Sequence, residues 1–180
     1  VAATTAVGVI ALALVSVGAF TDSLNIPAGP TMKRADRKKN VLFLCTANSA
    51  RSILSEAILN RISGVEYHAY SAGSRPGGAV NPYAIELLRS RGYATDDLRS
   101  KSWDEFAGSN APVMNYIITV CNNAAGEVCP VWPGHPVTDH WDIRDPAGVG
   151  ENEVERRQAF EAAYKTLEER IGAFVSRSSG

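Results

Sequence analysis

Apolar and polar positions along the chain fall into blocks whose period switches between that of a strand and that of a helix. Val41–Leu44 is a short apolar run ending at Cys45, too short for a helix and suited to a strand buried on both faces. From Ala50 to Ile62 the apolar residues fall at Ile53, Leu54, Ala57, Ile58 and Ile62, which is helical spacing, closed by Gly64. Val65–Ser71 predicts a second strand, followed by a loop through Gly78. Asn81 and Pro82 predict the cap and first position of a helix whose face carries Ala84, Ile85, Leu87 and Leu88 before Gly92. Ser102 with Glu105 predicts a capping box on a short helix through Ala107. Tyr116–Val120 predicts a third buried strand that runs into Cys121, residues 122–135 a Gly- and Pro-containing loop, and Val137–Ile143 a fourth strand. A last helix from Glu151 to Val175 would bury Val154, Phe160, Ala163, Tyr164, Leu167, Ile171 and Phe174 on one face.

Strands that alternate with helices predict an α/β fold in which a mostly parallel sheet is covered on both sides. Ligands of such sheets sit beyond the carboxyl ends of the strands. Cys45 and Cys121 both fall there, each as the last residue of a predicted strand.

The first twenty residues break this pattern. Fifteen of them are Ala, Val, Ile, Leu or Phe, and the first charge is Asp22. The length is close to the roughly 20 residues that span a bilayer. Lys33, Arg34, Arg37, Lys38 and Lys39 follow, the arrangement of a membrane helix with its C-terminal side towards the cytoplasm. Three readings fit: a membrane tether or the end of a fused membrane protein, non-native sequence upstream of Met32, or a signal peptide. Residues 1–20 are therefore read as an apolar segment, 21–39 as a basic linker and 40–177 as the domain. With 18 basic and 19 acidic residues the net charge is −1, which leaves no electrostatic footprint for nucleic acid. Three cysteines are too few and too odd for a disulfide scaffold and point to chemistry in a reducing compartment, the cytoplasm.

That chemistry concentrates in Cys45-Thr-Ala-Asn-Ser-Ala-Arg51-Ser52, a C-x5-R-S stretch between a predicted strand and a predicted helix. A loop in that place can turn backbone N–H groups inward, and the helix adds its own free N–H groups and dipole. Residues Asn48, Ser49, Ala50, Arg51 and Ser52 thus form a candidate nest for a tetrahedral oxyanion. Arg51 offers a planar fork for two oxygens. In that field the Cys45 thiol should ionise well below its free value of about 8.5 and act as a nucleophile. Asn48 and Ser52 would donate to the thiolate or hold the loop's shape. Asp145, one hundred positions after Cys45 and held extended by Pro146, is a candidate general acid, with Asp142 as its neighbour and competitor. His68, His135 and His140 lack metal-ligand spacing, and the two later cysteines do not match a zinc pattern, so no metal is expected. Trp103, Trp132 and Trp141 read as core or loop anchors.

In combination, the Cys45–Ser52 loop, Ser71-Ala-Gly73, Asn81-Pro82, Arg99-Ser-Lys-Ser-Trp103, Cys121, Cys129-Pro130 and His140-Trp141 ahead of Asp145-Pro146-Ala147 resemble the low-molecular-weight protein-tyrosine-phosphatase superfamily. Within it the chain looks like the thiol-coupled arsenate reductases. The resemblance implies a three-layer sandwich with a four-stranded parallel sheet of flavodoxin-like topology. It also implies Cys45 as nucleophile, Arg51 as anion clamp, Asp145 as acid, and Cys121 and Cys129 as a thiol relay. Arsenate would be the substrate, with phosphate and sulfate as competitors. The reductant would be thioredoxin or glutathione with glutaredoxin, with no other cofactor. Ala47 departs from the glycine of many relatives. The tyrosines that follow Asp-Pro in the phosphatases are absent from Asp145-Pro-Ala-Gly-Val-Gly. A phosphatase, and a non-catalytic oxyanion-binding domain fused to a transporter, stand as alternatives.

Overall fold

The computed structural model describes residues 38–126 and 130–178. The apolar segment 1–20, nearly all of the linker and Cys129 lie outside the described residues. Among the described residues no helix is long and apolar enough to cross a membrane.

Strand β1 (Lys39–Cys45) lies between β2 (Tyr67–Gly73) and β3 (Tyr116–Thr119), and β4 (Val137–His140) pairs with the far side of β3. All pairings are parallel. The α/β architecture expected from the alternation of periods is therefore present, with a four-stranded all-parallel sheet flanked by helices. The register sets Cys45 against Gly73 and Leu44 against Thr119, so three strands stop along one edge.

β1 takes the central position because it is the strand with an unbroken apolar run. Val41, Phe43 and Cys45 face a core built with α1 (Arg51–Ser63), α2 (Pro82–Ser90) and α4 (Glu153–Ser178). Leu42 and Leu44 face a second core with Phe106, Met114, Ile117 and Trp132. Val41–Leu44 are wholly inaccessible, and each such side chain contributes about 1.5–3 kcal/mol by leaving water. The second face is covered by a 3₁₀ turn (Trp103–Phe106) and loops, so that layer is made of short pieces.

Several boundaries differ from the sequence expectation, each for a local reason. Helix α1 buries Leu59 and exposes Ile62, because it packs between β2 and α4 and its apolar stripe is wider than the spacing suggested. Val65 is exposed in the turn before β2, which starts at Tyr67 and continues to Gly73. β4 stops at His140 instead of Ile143. Trp141 N–H still reaches Thr119 O at 2.8 Å, but β3 ends there and offers no further partners. The loop at 122–135 begins with a four-residue helix, α3 (Asn122–Ala125). Ser102 Oγ accepts from Asp104 N–H, whereas Glu105 pairs with Arg99, so the capping box is only half formed. Val154 is exposed on the first turn of α4, while Phe160, Ala163, Tyr164, Leu167, Ile171 and Phe174 are buried as expected.

Phe43 packs on Trp141 at 5.8 Å between ring centroids. Phe43→Ala should therefore lower unfolding stability by roughly 3–5 kcal/mol in urea titration, the cost of a cavity that rigid neighbours cannot fill.

Candidate active site

β1 delivers Cys45 to the carboxyl edge of the sheet, and the chain then turns through residues 46–50 into α1. Four carbonyl oxygens between Cys45 and Ser49 accept from the backbone of residues 74–81. Cys45 O accepts from Ser74 N–H (3.3 Å), Thr46 O from Arg75 (2.9 Å), Ala47 O from Gly77 (3.0 Å) and Ser49 O from Asn81 (2.8 Å). In a planar trans peptide the next N–H points opposite to the carbonyl. Pinning the carbonyls to residues 74–81 thus turns the amides of Thr46, Ala47, Asn48 and Ala50 to the other side of the loop. Asn48 N–H accordingly donates to Cys45 Sγ at 3.2 Å. Ala50 is the N-cap of α1 and makes no side-chain cap hydrogen bond. This is the loop in which the sequence places a candidate nest.

Asn48 holds the turn in shape. Its φ of 45° lies in the left-handed region that Asn tolerates better than most residues. The side chain is wholly buried. Nδ2 donates to Ser52 Oγ and Ser71 Oγ, both at 2.9 Å, and Oδ1 accepts from Lys101 N–H at 2.6 Å. Because Ser52 Oγ accepts from Asn48, its own hydrogen is free for Cys45 Sγ, 2.9 Å away. Ser71 in turn donates to Glu56 Oε2 at 2.5 Å, and Lys101 Nζ closes the chain on the same oxygen at 3.1 Å. Gly73 must lack a side chain here. A Cβ would stand 2.4 Å from Thr46 O and 2.9 Å from Asn48 N, both backbone atoms of the loop. Ala47 is not among the residues with positive φ, so its methyl group introduces no backbone strain.

Arg51 and Asp145, far apart in sequence, meet. Arg51 donates through one amino group to Ile143 O at 3.1 Å and through the other to Asp145 Oδ2 at 3.0 Å. Arg51 is mostly buried, at 15% exposure, and Asp145 is half exposed, at 49%. Ala147 N–H donates to Asp145 Oδ1 at 3.1 Å and fixes the carboxylate's rotation. Asp142, the competing carboxylate, is exposed.

Cys121 is not the last residue of a strand but the N-cap of α3, its sulfur accepting from Ala124 N–H at 3.4 Å. It is buried, and Thr46 Oγ1 lies 3.7 Å from its sulfur, which sets the second thiol against the residue that follows the first. Cys129 lies outside the described residues.

The family description low molecular weight phosphotyrosine protein phosphatase matches residues 40–178. The chain belongs to that family. An arsenate reductase of Bacillus licheniformis is 35% identical over 138 residues, 77% of this chain and 96% of that protein. The structure of arsenate reductase from Archaeoglobus fulgidus superposes with a TM-score of 0.55 at 29% identity, over 73% of this chain and 98% of that one. The thioredoxin-dependent arsenate reductase of Corynebacterium glutamicum gives a TM-score of 0.58 at 25% identity, over 79% of this chain and 63% of that one. The resemblance read from the motifs is borne out.

The expectation that the Cys45 thiol ionises below its free value is corrected. Burial pushes the Cys45 thiol above its ordinary value, and Cys121 adds to the rise. Hydrogen bonds from Ser52 and Asn48 pull the other way but do not outweigh burial. The charge expected to lower it, on Arg51, is turned to Ile143 O and Asp145 instead.

Sequence reasoning missed Glu56 and gave no role to Ser71, Ser100 and Lys101 beyond the motifs that contain them; all four brace the loop from behind. Ser100 Oγ donates to Ala47 O at 3.1 Å. A signal existed in α1, where Ser52 and Glu56 are polar one turn apart at i and i+4.

Ser52→Ala removes the hydroxyl donor to the sulfur and so favours the protonated thiol. The pH midpoint of iodoacetamide alkylation at Cys45, followed by site-resolved mass spectrometry, should move to higher pH than in the unmodified chain. An unchanged midpoint would mean that the Ser52 contact does not act on the charged sulfur.

Proposed function

We propose that this chain reduces arsenate to arsenite by a thiol relay. The observation that carries this reading is the second buried thiol, Cys121, whose sulfur sits 3.7 Å from Thr46 Oγ1, just beyond the ends of the adjacent strands β1 and β3. A hydrolytic phosphatase needs one cysteine; a reductase needs a second thiol within reach of the first.

In this reading the inward amides of the loop and the fork of Arg51 hold arsenate. Cys45 thiolate forms a bond to arsenic, and Asp145 protonates the oxygen that departs as water. Cys121 thiolate then attacks Cys45 Sγ. The electron pair of the broken sulfur–arsenic bond stays on arsenic, which leaves as arsenite in the +3 state, and a Cys45–Cys121 disulfide remains. Attack of Cys129 thiolate on Cys121 frees Cys45 and leaves a Cys121–Cys129 disulfide, which an external dithiol reduces by exchange. Thioredoxin is favoured as that dithiol because a relative of similar fold is a thioredoxin-dependent enzyme. Glutathione with glutaredoxin is the other route. The family's own description favours a second reading, hydrolysis of phosphoesters, for which Cys45, Arg51 and Asp145 would serve alike. The stretch after Asp145, Pro-Ala-Gly-Val-Gly, supplies no aromatic wall for a phosphotyrosine ring.

The deciding assay compares arsenate turnover in the presence of thioredoxin and its reductase with hydrolysis of p-nitrophenyl phosphate. Cys45→Ser should abolish both, since an alcohol does not ionise at neutral pH, and substantial arsenate reduction by that variant would overturn the reading. Asp145→Asn should slow formation of the cysteine–arsenic adduct by about 10²–10⁴-fold in a single turnover while arsenate still binds. After turnover without external reductant, mass spectrometry should find a Cys121–Cys129 bridge. Full steady-state activity in a Cys121→Ser, Cys129→Ser double variant would instead assign the second step to an external thiol.

A further inference from the structure

Cys121 depends on a helix too short to hold itself. α3 has four residues, and forming the first helical turn is unfavourable without support from outside. Part of that support is the burial of Ala124 in the core, and β4 adds a side-chain contact. His140 Nε2 lies 2.9 Å from Asn122 Oδ1, on the first residue of α3. The other ring nitrogen, Nδ1, lies 2.7 Å from Thr119 Oγ1, on the last residue of β3. The imidazole therefore bridges the end of β3 and the start of α3, the two residues on either side of Val120 and Cys121.

The bridge has a rigid base. Asp139 Oδ1 accepts from His140 N–H at 2.8 Å, and Oδ2 accepts from Trp141 Nε1 at 2.8 Å. Trp141 is buried against Phe43 and Phe174. Ala124, whose N–H donates to Cys121 Sγ, is buried below. A continuous set of contacts thus runs from the core through Trp141, Asp139 and His140 to Asn122, and from there to the sulfur beside Thr46.

We propose that His140 is a positioning residue for the resolving step: by gripping Thr119 and Asn122 together it keeps α3 folded with Cys121 Sγ beside the Cys45 loop. It touches neither oxyanion nor sulfur. An amide Oδ1 only accepts, so Nε2 carries a proton in this contact and Nδ1 meets the Thr119 hydroxyl. Glutamine can reproduce both roles in part, with its NH2 as donor and its carbonyl as acceptor.

The proposal rests on the relay reading, and its test separates the two. In the full chain, with arsenate and no external reductant, rapid-quench mass spectrometry follows the Cys45–arsenic adduct and the Cys45–Cys121 disulfide. His140→Ala should form the adduct within about twofold of the unmodified rate but resolve it about 10- to 100-fold more slowly, so that adduct accumulates. His140→Gln should recover most of the loss. A second measurement needs no arsenate: diamide, a two-electron thiol oxidant, should form the Cys45–Cys121 disulfide more slowly in His140→Ala and near the unmodified rate in His140→Gln. Disulfide formation by His140→Ala at the unmodified rate in either assay overturns the proposal, as does an equal loss of adduct formation and resolution, or no diamide disulfide in the unmodified chain. If the unmodified chain forms no adduct while the diamide rates still depend on His140, the arsenate reading fails and the positioning role stands.

Discussion

Four carbonyl oxygens between Cys45 and Ser49 accept hydrogen bonds from the backbone of residues 74–81, and the geometry of the site depends on that. Peptide planarity converts the pinning into a directional property of the opposite side, where the amides must point. No side chain of the loop needs to carry charge for this to happen. The segment that does the pinning lies between β2 and α2, so the register of β2 against β1 and the start of α2 both set the shape of the loop. Gly73 shows how tight this coupling is, since the loop passes where its Cβ would be.

Beneath the loop, polar groups replace the apolar packing found elsewhere in the core. Asn48, Ser52, Ser71, Glu56 and Lys101 form one connected set of hydrogen bonds, closed by an ion pair with both side chains largely buried. A buried pair of this kind gains little over an apolar pair, but loss of one partner strands the other charge in a dry place. The set therefore ties the position of Cys45's neighbours to residues on α1, β2 and the 99–103 segment at once. The Cys45 sulfur sits at the edge of this set and is itself buried, which is why its thiol is raised even though two donors reach it.

The parts of this arrangement visible in the sequence were those with a period or a short span. Val41–Leu44 announces a central strand because all four residues must be dry, and α4 announces itself because Phe160 to Phe174 keep one face over several turns. The Cys45–Arg51 loop is contained within one strand–helix junction, so its role could be read locally. β4 was harder to bound because Val137–His140 are all exposed and carry no burial pattern. α3 is shorter than any window that detects helical period. Glu56, Ser71 and Lys101 were not read as a group, because they come from separate segments and meet only after the sheet has formed. Cys121 was placed near the right edge but on the wrong element, since a thiol that caps a helix looks in sequence like one that ends a strand.

The Arg51–Asp145 contact has a consequence for selectivity. The guanidinium already faces an anion supplied by the chain itself, held nearby by the loop that carries Ile143 and Ala147. Any solute that takes the fork has to win against a resident carboxylate whose local concentration does not fall on dilution. A singly charged, carboxylate-like solute offers Arg51 nothing that it lacks, whereas a tetrahedral dianion brings more charge and also engages the amides of the nest. Under the proposed function, the protein thus carries its own standing competitor, which favours solutes of higher charge and with more oxygens at the cysteine.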